Sequence, residues 1–181
     1  MLRIIAGKYR HLIIEAPSTN TTRPTTDKVR EAVMSSLGTS LIDATILDLF
    51  AGSGALGLEA LSRGAKKAIF CDNNYLAIKT IKDNINKLKI SEEVEIYKCS
   101  YKEALNQLKE KNEIIDILFL DPPYIKENVY QEVCDFIFDN NLLSNNAIIV
   151  KEWNKQIPID NRFNHHKSYS YGTINILIER R

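Results

Sequence analysis

Asp48-Leu49-Phe50-Ala51-Gly52-Ser53-Gly54-Ala55-Leu56-Gly57 is the stretch on which the fold turns. The apolar run Ile46–Phe50 reads as a buried strand, and Ala55–Ser62 reads as a helix that stops at Gly64. Between them, Gly52, Gly54 and Gly57 satisfy G-x-G-x-x-G. Glycine permits a tight turn and lets a ligand reach bare backbone N–H groups where a helix begins. Asp72 lies 20 residues after Gly52 and closes the next apolar strand, Ala68–Cys71. A carboxylate at that place can accept both hydroxyls of an adenosine ribose. Strand, glycine turn, helix and acid together predict a cofactor that contains a nucleoside. They do not separate a dinucleotide from S-adenosylmethionine.

Strands and helices alternate outward from this unit. A helix is expected over Asn74–Leu88, a strand over Val94–Lys98, a helix over Lys102–Glu110 and a strand over Ile114–Leu120. A helix over Asn128–Asp139, a strand over Ala147–Lys151 and a closing hairpin, Phe163–Tyr169 with Ile174–Glu179, complete the series. Near-continuous apolar strands alternating with helices make a parallel sheet covered on both faces. The predicted fold is therefore α/β, a doubly wound, mostly parallel seven-stranded sheet with one antiparallel strand. Ahead of it, Arg3–Ala6 and His11–Glu15 read as a hairpin turning at Gly7. Thr25-Thr26-Asp27 are capping types before a helix carried by Val29, Ala32, Val33 and Leu37 and stopped by Gly38. One domain over residues 1–181 is expected, with a basic hairpin-and-helix extension over 1–38 and the catalytic core over 39–181.

The second informative stretch, Asp121-Pro122-Pro123-Tyr124, ends the strand expected to lie beside Ile46–Phe50. Two prolines remove two backbone donors and leave a stiff turn with outward carbonyls. An ionised Asp121 only accepts hydrogen bonds, and Tyr124 offers a flat face. Carboxylate, carbonyl and ring form a socket for an amino group on a planar base.

Bulk composition narrows the classes. Hydrophobic residues at 44% and charged residues at 26% describe an ordered globular chain. No apolar run approaches the roughly 20 residues that span a bilayer, and residues 1–10 alternate charged and apolar types unlike a signal peptide. A cytoplasmic protein without membrane contact is expected. Cys71, Cys99 and Cys134 are odd in number and lack a CxxC pair, which argues against disulfides and zinc and for three small buried residues. His165-His166 has no partner cluster and reads as surface; no metal is expected. Glu59 and Arg63 stand i, i+4 and read as a surface ion pair. Tyr169 and Tyr171 read as hairpin or core. Net charge is +1, yet residues 1–30 hold Arg3, Lys8, Arg10, Arg23, Lys28 and Arg30 against only Glu15 and Asp27. A basic segment on a near-neutral body suggests a polyanion partner or a solvated charged face.

With these residues in view, Asp121–Tyr124 resembles the catalytic signature of amino-directed nucleic-acid methyltransferases, and DLFAGSGALGLEAL (48–61) resembles their cofactor loop. RIIAGKYR (3–10) and RPTTDKVREAV (23–33) narrow the resemblance to the bacterial small-subunit (16S) ribosomal RNA guanine-N2 methyltransferases, the RsmD family. The resemblance covers essentially the whole chain. Met34 departs from it, standing where phenylalanine is usual. The resemblance implies a Rossmann-like class I fold and S-adenosyl-L-methionine as cofactor. Asp48, the backbone of Phe50, Ala51, Gly52, Ser53 and Gly54, and Thr25 would surround its methionine end. Asp72 with Asn73 would hold the ribose, and Ser100 with Tyr101 would flank the adenine. Asp121 and the Pro122 carbonyl would receive the guanine amino group, with Pro123 stiffening the turn and Tyr124 stacking. Arg3, Lys8, Arg10, Arg23, Lys28, Arg30 and Lys126 would meet RNA phosphates. The implied partner is 16S rRNA within a partly or fully assembled small subunit, bound by a monomer. Competing expectations are an adenine-N6 methyltransferase acting on DNA or RNA, a catalytically silent RNA-binding assembly factor, and an NAD-dependent oxidoreductase, in which Asp121–Tyr124 has no role.

Overall fold

Strand pairing sets the layout. The computed structural model describes residues 2–17, 27–122, 127–154 and 159–181. Seven strands form one sheet: β3 (Thr45–Asp48), β4 (Lys67–Cys71), β5 (Glu93–Tyr97), β6 (Ile115–Leu120), β7 (Leu143–Trp153), β8 (His165–Tyr171) and β9 (Ile174–Arg180). Their order is β5-β4-β3-β6-β7-β9-β8. The pairs β3–β4, β4–β5, β3–β6 and β6–β7 are parallel, while β9 runs antiparallel to both its neighbours. The winding goes outward from β3 to β5 and then returns to place β6 beside β3. Ligands of such sheets bind at the carboxyl ends where the order reverses. Here those ends are Asp48 and Asp121.

Both faces are covered, which explains the apolar strands. Ile46, Phe70, Ile117, Phe119, Ile148 and Val150 pack under α1 (Asp27–Leu37), α2 (Ala55–Ser62) and α3 (Tyr75–Leu88). Leu47, Ile69, Leu118, Leu120 and Ile149 pack under α4 (Tyr101–Glu110) and α5 (Glu127–Asp139). Met34, the departure from the family pattern, is fully buried in the first of these cores. Among the described residues no helix is long and apolar enough to cross a membrane.

Most element boundaries match the expectation within a residue or two. The expected Ala147–Lys151 strand extends to Leu143–Trp153, because β9 pairs along it from Ile148↔Arg180 to Trp153↔Asn175. The N-terminal hairpin instead contracts to β1 (Leu2–Arg3) and β2 (Ile13–Ile14). Four of the intervening N–H groups are used in docking. Ile5 and Ala6 donate to the Glu59 carboxylate on α2, at 2.7 and 3.0 Å. Lys8 donates to the Ser62 carbonyl at 2.7 Å, and Tyr9 to the Ser62 hydroxyl at 2.9 Å. The hairpin is thus seated on the helix that follows the glycine loop.

Gly7 makes that seating possible. Its φ is +83°, and a Cβ there would lie 1.8 Å from the Ser62 carbonyl oxygen. Gly7→Ala should cost roughly 2–4 kcal/mol by combining a strained backbone with a backbone clash. Urea titration reads this directly, and an unchanged midpoint would contradict the docking.

The expected surface pair Glu59–Arg63 is corrected by the same geometry. Glu59 is fully buried, and Arg63 Nε donates to it at 2.7 Å as one of several partners. Spacing on a helix reports which residues are neighbours but not that a hairpin will cover them. Arg30 is also fully buried, against the expectation that it meets phosphate. Its Nη2 donates to the Arg3 carbonyl and to Asp27 Oδ1, at 2.5 and 2.9 Å, and its Nε lies 3.8 Å from Glu59. The guanidinium is enclosed between α1, the hairpin and α2, out of reach of a phosphate.

Candidate active site

Asp48 ends β3 and is almost wholly buried; its Oδ2 accepts the Gly57 N–H at 3.2 Å. Burial pushes its carboxyl up to about 7, and the charge of Asp72 adds to the rise, while the Gly57 N–H opposes it. Gly52 follows with φ +53°, and a Cβ built on it meets nothing within 4 Å. Its backbone therefore faces open space. Gly57 differs, since a Cβ there would lie 2.3 Å from the buried Phe70 ring. Gly52 leaves the backbone open, and Gly57 lets α2 close on the sheet. No side chain caps the start of α2 at Gly54.

Asp72 sits just past β4. Its Oδ2 accepts the Gly52 N–H at 2.9 Å and its Oδ1 the Asn74 N–H at 2.8 Å. A carboxylate offers about four acceptor positions, so two remain for hydroxyl donors. Asn73 is exposed beside it. Buried Asn84 on α3 secures the loop from beneath, donating to the Ser53 and Glu15 carbonyls at 3.0 Å each and accepting the Glu15 N–H at 2.8 Å. Its signal in the sequence is one amide on the apolar stripe of Ile78, Ile81, Ile85 and Leu88.

On the other flank, Ser100 caps α4 in a reciprocal pair with Glu103. Its hydroxyl accepts the Glu103 N–H, so it is committed to the helix end. The Tyr101 hydroxyl donates to Glu132 at 2.7 Å, and its ring lies 5.5 Å from Phe50. Phe50 and Tyr101 form an aromatic wall at the β3 side of α4.

Asp121 and Pro122 continue β6 and are half-buried. Burial, then the charge of Glu152, then that of Asp48, hold the Asp121 carboxyl well above the usual carboxylate range. Glu152 was not anticipated. Register pairs Leu120 with Lys151, so Asp121 and Glu152 are the next residues of adjacent parallel strands. The missed signal is a repeat: Ile46-Leu-Asp48, Phe119-Leu-Asp121 and Val150-Lys-Glu152 each bring an acid to the carboxyl end of a strand in the order apolar, any, acid. All three acids continue the α1–α2 face. Such a negative row suits a cation, and the open backbone at Gly52 beside a carboxylate suits a nucleoside; the residues present fit S-adenosylmethionine.

The family model described as Conserved hypothetical protein 95 matches residues 2–179. Ribosomal RNA small subunit methyltransferase D of Haemophilus influenzae is 36% identical over 159 residues, 87% of this chain and 81% of that one. YlbH of Bacillus subtilis, named as an rRNA methyltransferase, is 35% identical over 158 residues, 87% of this chain and 85% of that one. The chain belongs to the ribosomal RNA small subunit methyltransferase D family. The solved structure of yhhF from Escherichia coli, named as a methyltransferase, superposes with a TM-score of 0.87 at 31% identity, over 99% of this chain and 97% of that one. The methyltransferase fold and class expected from the sequence both hold.

Within this methyltransferase the expected basic surface is smaller than its count of cations. Arg10 and Lys28 are exposed. Exposed Arg3 pairs with Asp27 at 3.6 Å, and the Lys8 ammonium is held by Glu92 and Ser91 at 2.9 and 2.8 Å. Arg30 is internal. Arg23, Thr25, Pro123, Tyr124 and Lys126 lie outside the described residues. Cys71 and Cys134 are buried and Cys99 half-buried, all free, and His165 and His166 are exposed on the edge strand β8. Tyr169 and Tyr171 lie in that hairpin strand, stacked 6.4 Å apart.

Proposed function

We propose that this methyltransferase transfers a methyl group from S-adenosyl-L-methionine to the exocyclic N2 amino group of a guanine in small-subunit ribosomal RNA. The reading takes the substrate to be a partly or fully assembled small subunit and the enzyme to be a cytoplasmic monomer. The observation that carries it is the set of acids Asp48, Asp121 and Glu152 at the carboxyl ends of β3, β6 and β7, with the open backbone of Gly52 following β3. An adenine-N6 methyltransferase would use the same amino socket; the N-terminal strings of the RsmD family favour guanine.

S-adenosylmethionine, when bound, supplies an electrophilic methyl group on a positively charged sulfur. Gly52 leaves backbone exposed for its approach, Asp72 keeps acceptor positions for ribose hydroxyls, and Phe50 with Tyr101 gives an apolar wall for a planar base. Asp48 contributes negative charge under the site. A guanine amino nitrogen is a poor nucleophile, because its lone pair is delocalised into the ring. Asp121 and the Pro122 carbonyl accept its hydrogens, orient the lone pair, and stabilise positive charge as it develops on nitrogen. Arg10, Lys28, Arg3 and Lys8 form the phosphate-facing surface. Arg23, Thr25, Tyr124 and Lys126 keep their proposed roles at the cofactor and the RNA.

Two measurements follow. Incubation with methyl-labelled donor and separated ribosomal subunits should place label in the small subunit as N2-methylguanosine on nucleoside analysis. Label in N6-methyladenosine would favour the adenine reading, and no label would favour the silent assembly factor. The second concerns pH. Burial holds the Asp48 carboxyl up at about 7. A cation prefers the ionised site, so affinity for S-adenosylmethionine should strengthen by roughly 3- to 10-fold from pH 6 to 8. The uncharged product S-adenosylhomocysteine should show a smaller change. Because the folded value is raised, the stability contributed by neutral Asp48 is complete below the usual carboxylate range and is lost as pH rises through about 7. Calorimetry showing equal pH dependence for donor and product would remove Asp48 from the sulfonium's neighbourhood.

A further inference from the structure

We propose that Glu152 is the residue that makes the site specific for guanine, accepting the ring N1–H while Asp121 accepts the neighbouring exocyclic amino group. The inference rests on the guanine reading above and names the group that enforces it.

Its geometry comes from the sheet. Strands β6 and β7 are parallel neighbours, with Leu120 opposite Lys151, so the residues that follow stand side by side at the carboxyl ends. Paired strands are about 4.8 Å apart, which places their acidic side chains within reach of adjacent atoms on one base edge. Glu152 shares its face with Ile148 and Val150, and Asp121 shares that same face with Ile117 and Phe119. The Tyr130 hydroxyl donates to the Glu152 carbonyl at 2.6 Å and pins the backbone at this point. Glu152 is half-buried, as Asp121 is. The charge of Glu152 is among the causes that raise the Asp121 carboxyl, in keeping with their adjacent register positions.

The chemistry of bases then discriminates. A carboxylate is acceptor-only when ionised. Adenine flanks its amino group with two ring acceptors, N1 and N7. Cytosine flanks its own with the acceptor N3 and a C–H. Guanine alone flanks its amino group with a ring N–H, at N1. A pair of adjacent carboxylates therefore finds two parallel donors only on guanine. Against adenine or cytosine the second carboxylate would face a lone pair or a C–H, and a half-buried charge would lose its partner. One acid suffices to seat an amino group; the second explains which base carries it.

The probe is small-subunit RNA carrying either guanine or 2-aminopurine at the position the wild-type enzyme methylates. 2-Aminopurine keeps the N2 amino group but presents a lone pair at N1. Wild type should methylate the guanine RNA about 100-fold faster in kcat/KM, and bind it more tightly with S-adenosylhomocysteine present. Glu152→Gln can donate from its amide to the 2-aminopurine N1, so the gap should shrink by at least about 10-fold, from both sides. Glu152→Ala should slow guanine methylation without gaining on 2-aminopurine. Both variants should melt near wild type, because a like charge beside Asp121 has been removed. Equal treatment of the two RNAs by wild type, or an undiminished gap in folded Glu152→Gln, would overturn the assignment while leaving guanine methylation intact. Wild type that labels adenine instead would fail the functional reading itself, and this proposal with it.

Discussion

Asp121→Ala is expected to fold, to bind S-adenosylmethionine, and to lose roughly 10²- to 10³-fold in single-turnover rate, the scale of losing one preorganised group aimed at developing charge. Asp121 stands where three strand-end acids meet. Burial, then the charges of Glu152 and Asp48, hold its carboxyl well above the usual carboxylate range. An amino group offering two hydrogens favours its ionised form, so the interaction strengthens as charge appears on nitrogen. That is why the loss belongs to turnover more than to the Michaelis constant. Folding provides the control. A raised carboxyl costs the folded chain stability once pH exceeds the usual carboxylate range, so Asp121→Asn should be at least as stable as wild type at pH 8. A turnover equal to wild type in either variant, with cofactor bound, would remove Asp121 from the reaction.

The largest expected loss of stability is Glu59→Ala. The carboxylate is fully enclosed and receives the Ile5 and Ala6 N–H groups and the Arg63 Nε, with the buried Arg30 guanidinium beside it. Its removal leaves two backbone donors unpaired and the buried Arg30 cation with only the partly exposed Asp27 as counter-charge. Arg30 is poorly placed to adapt, since its Nε and Nη1 already lack hydrogen-bond partners among the described residues. Breaking a buried ion pair from one side costs about 3–5 kcal/mol. For a chain of this size that is a fall in melting temperature of roughly 10 °C. Glu59→Gln, which keeps the shape and one acceptor, should recover part of it. The consequence reaches function because α2 begins at the glycine loop, so a hairpin freed from Glu59 also frees α1 and the helix that carries Gly54 and Gly57. A melting temperature within about 2 °C of wild type would show that the hairpin is held elsewhere.

Local chemistry made much of this protein legible from its residues alone. The doubly wound sheet followed from apolar strands alternating with amphipathic helices, because a strand covered on both faces has no polar side to show. The glycine loop, Asp72 and Asp121 were legible because each puts a distinctive residue type at a strand end: no Cβ at Gly52, a carboxylate at Asp72, a carboxylate followed by proline at Asp121-Pro122. What stayed hidden depends on contacts between residues far apart in the chain. Glu59 and Arg63 satisfy the helix spacing of a surface pair, and only the hairpin lying over them, 53 and 54 residues away in its hydrogen bonds, turns Glu59 into a buried anchor. Arg30 counted as one more cation in a basic segment until α1 folded it inward. Glu152 stands one residue before the end of β7 in the same apolar-any-acid pattern as Asp48 and Asp121, yet its position beside Asp121 required the register that sets β7 beside β6. The sequence alone determined the sheet, the glycine loop that follows β3 and the Asp121-Pro122 step that follows β6, since those are written in neighbouring residues. Only the tertiary structure decided which charges face solvent, which are enclosed, and which second acid stands beside Asp121, because burial and strand register are properties of the packed chain.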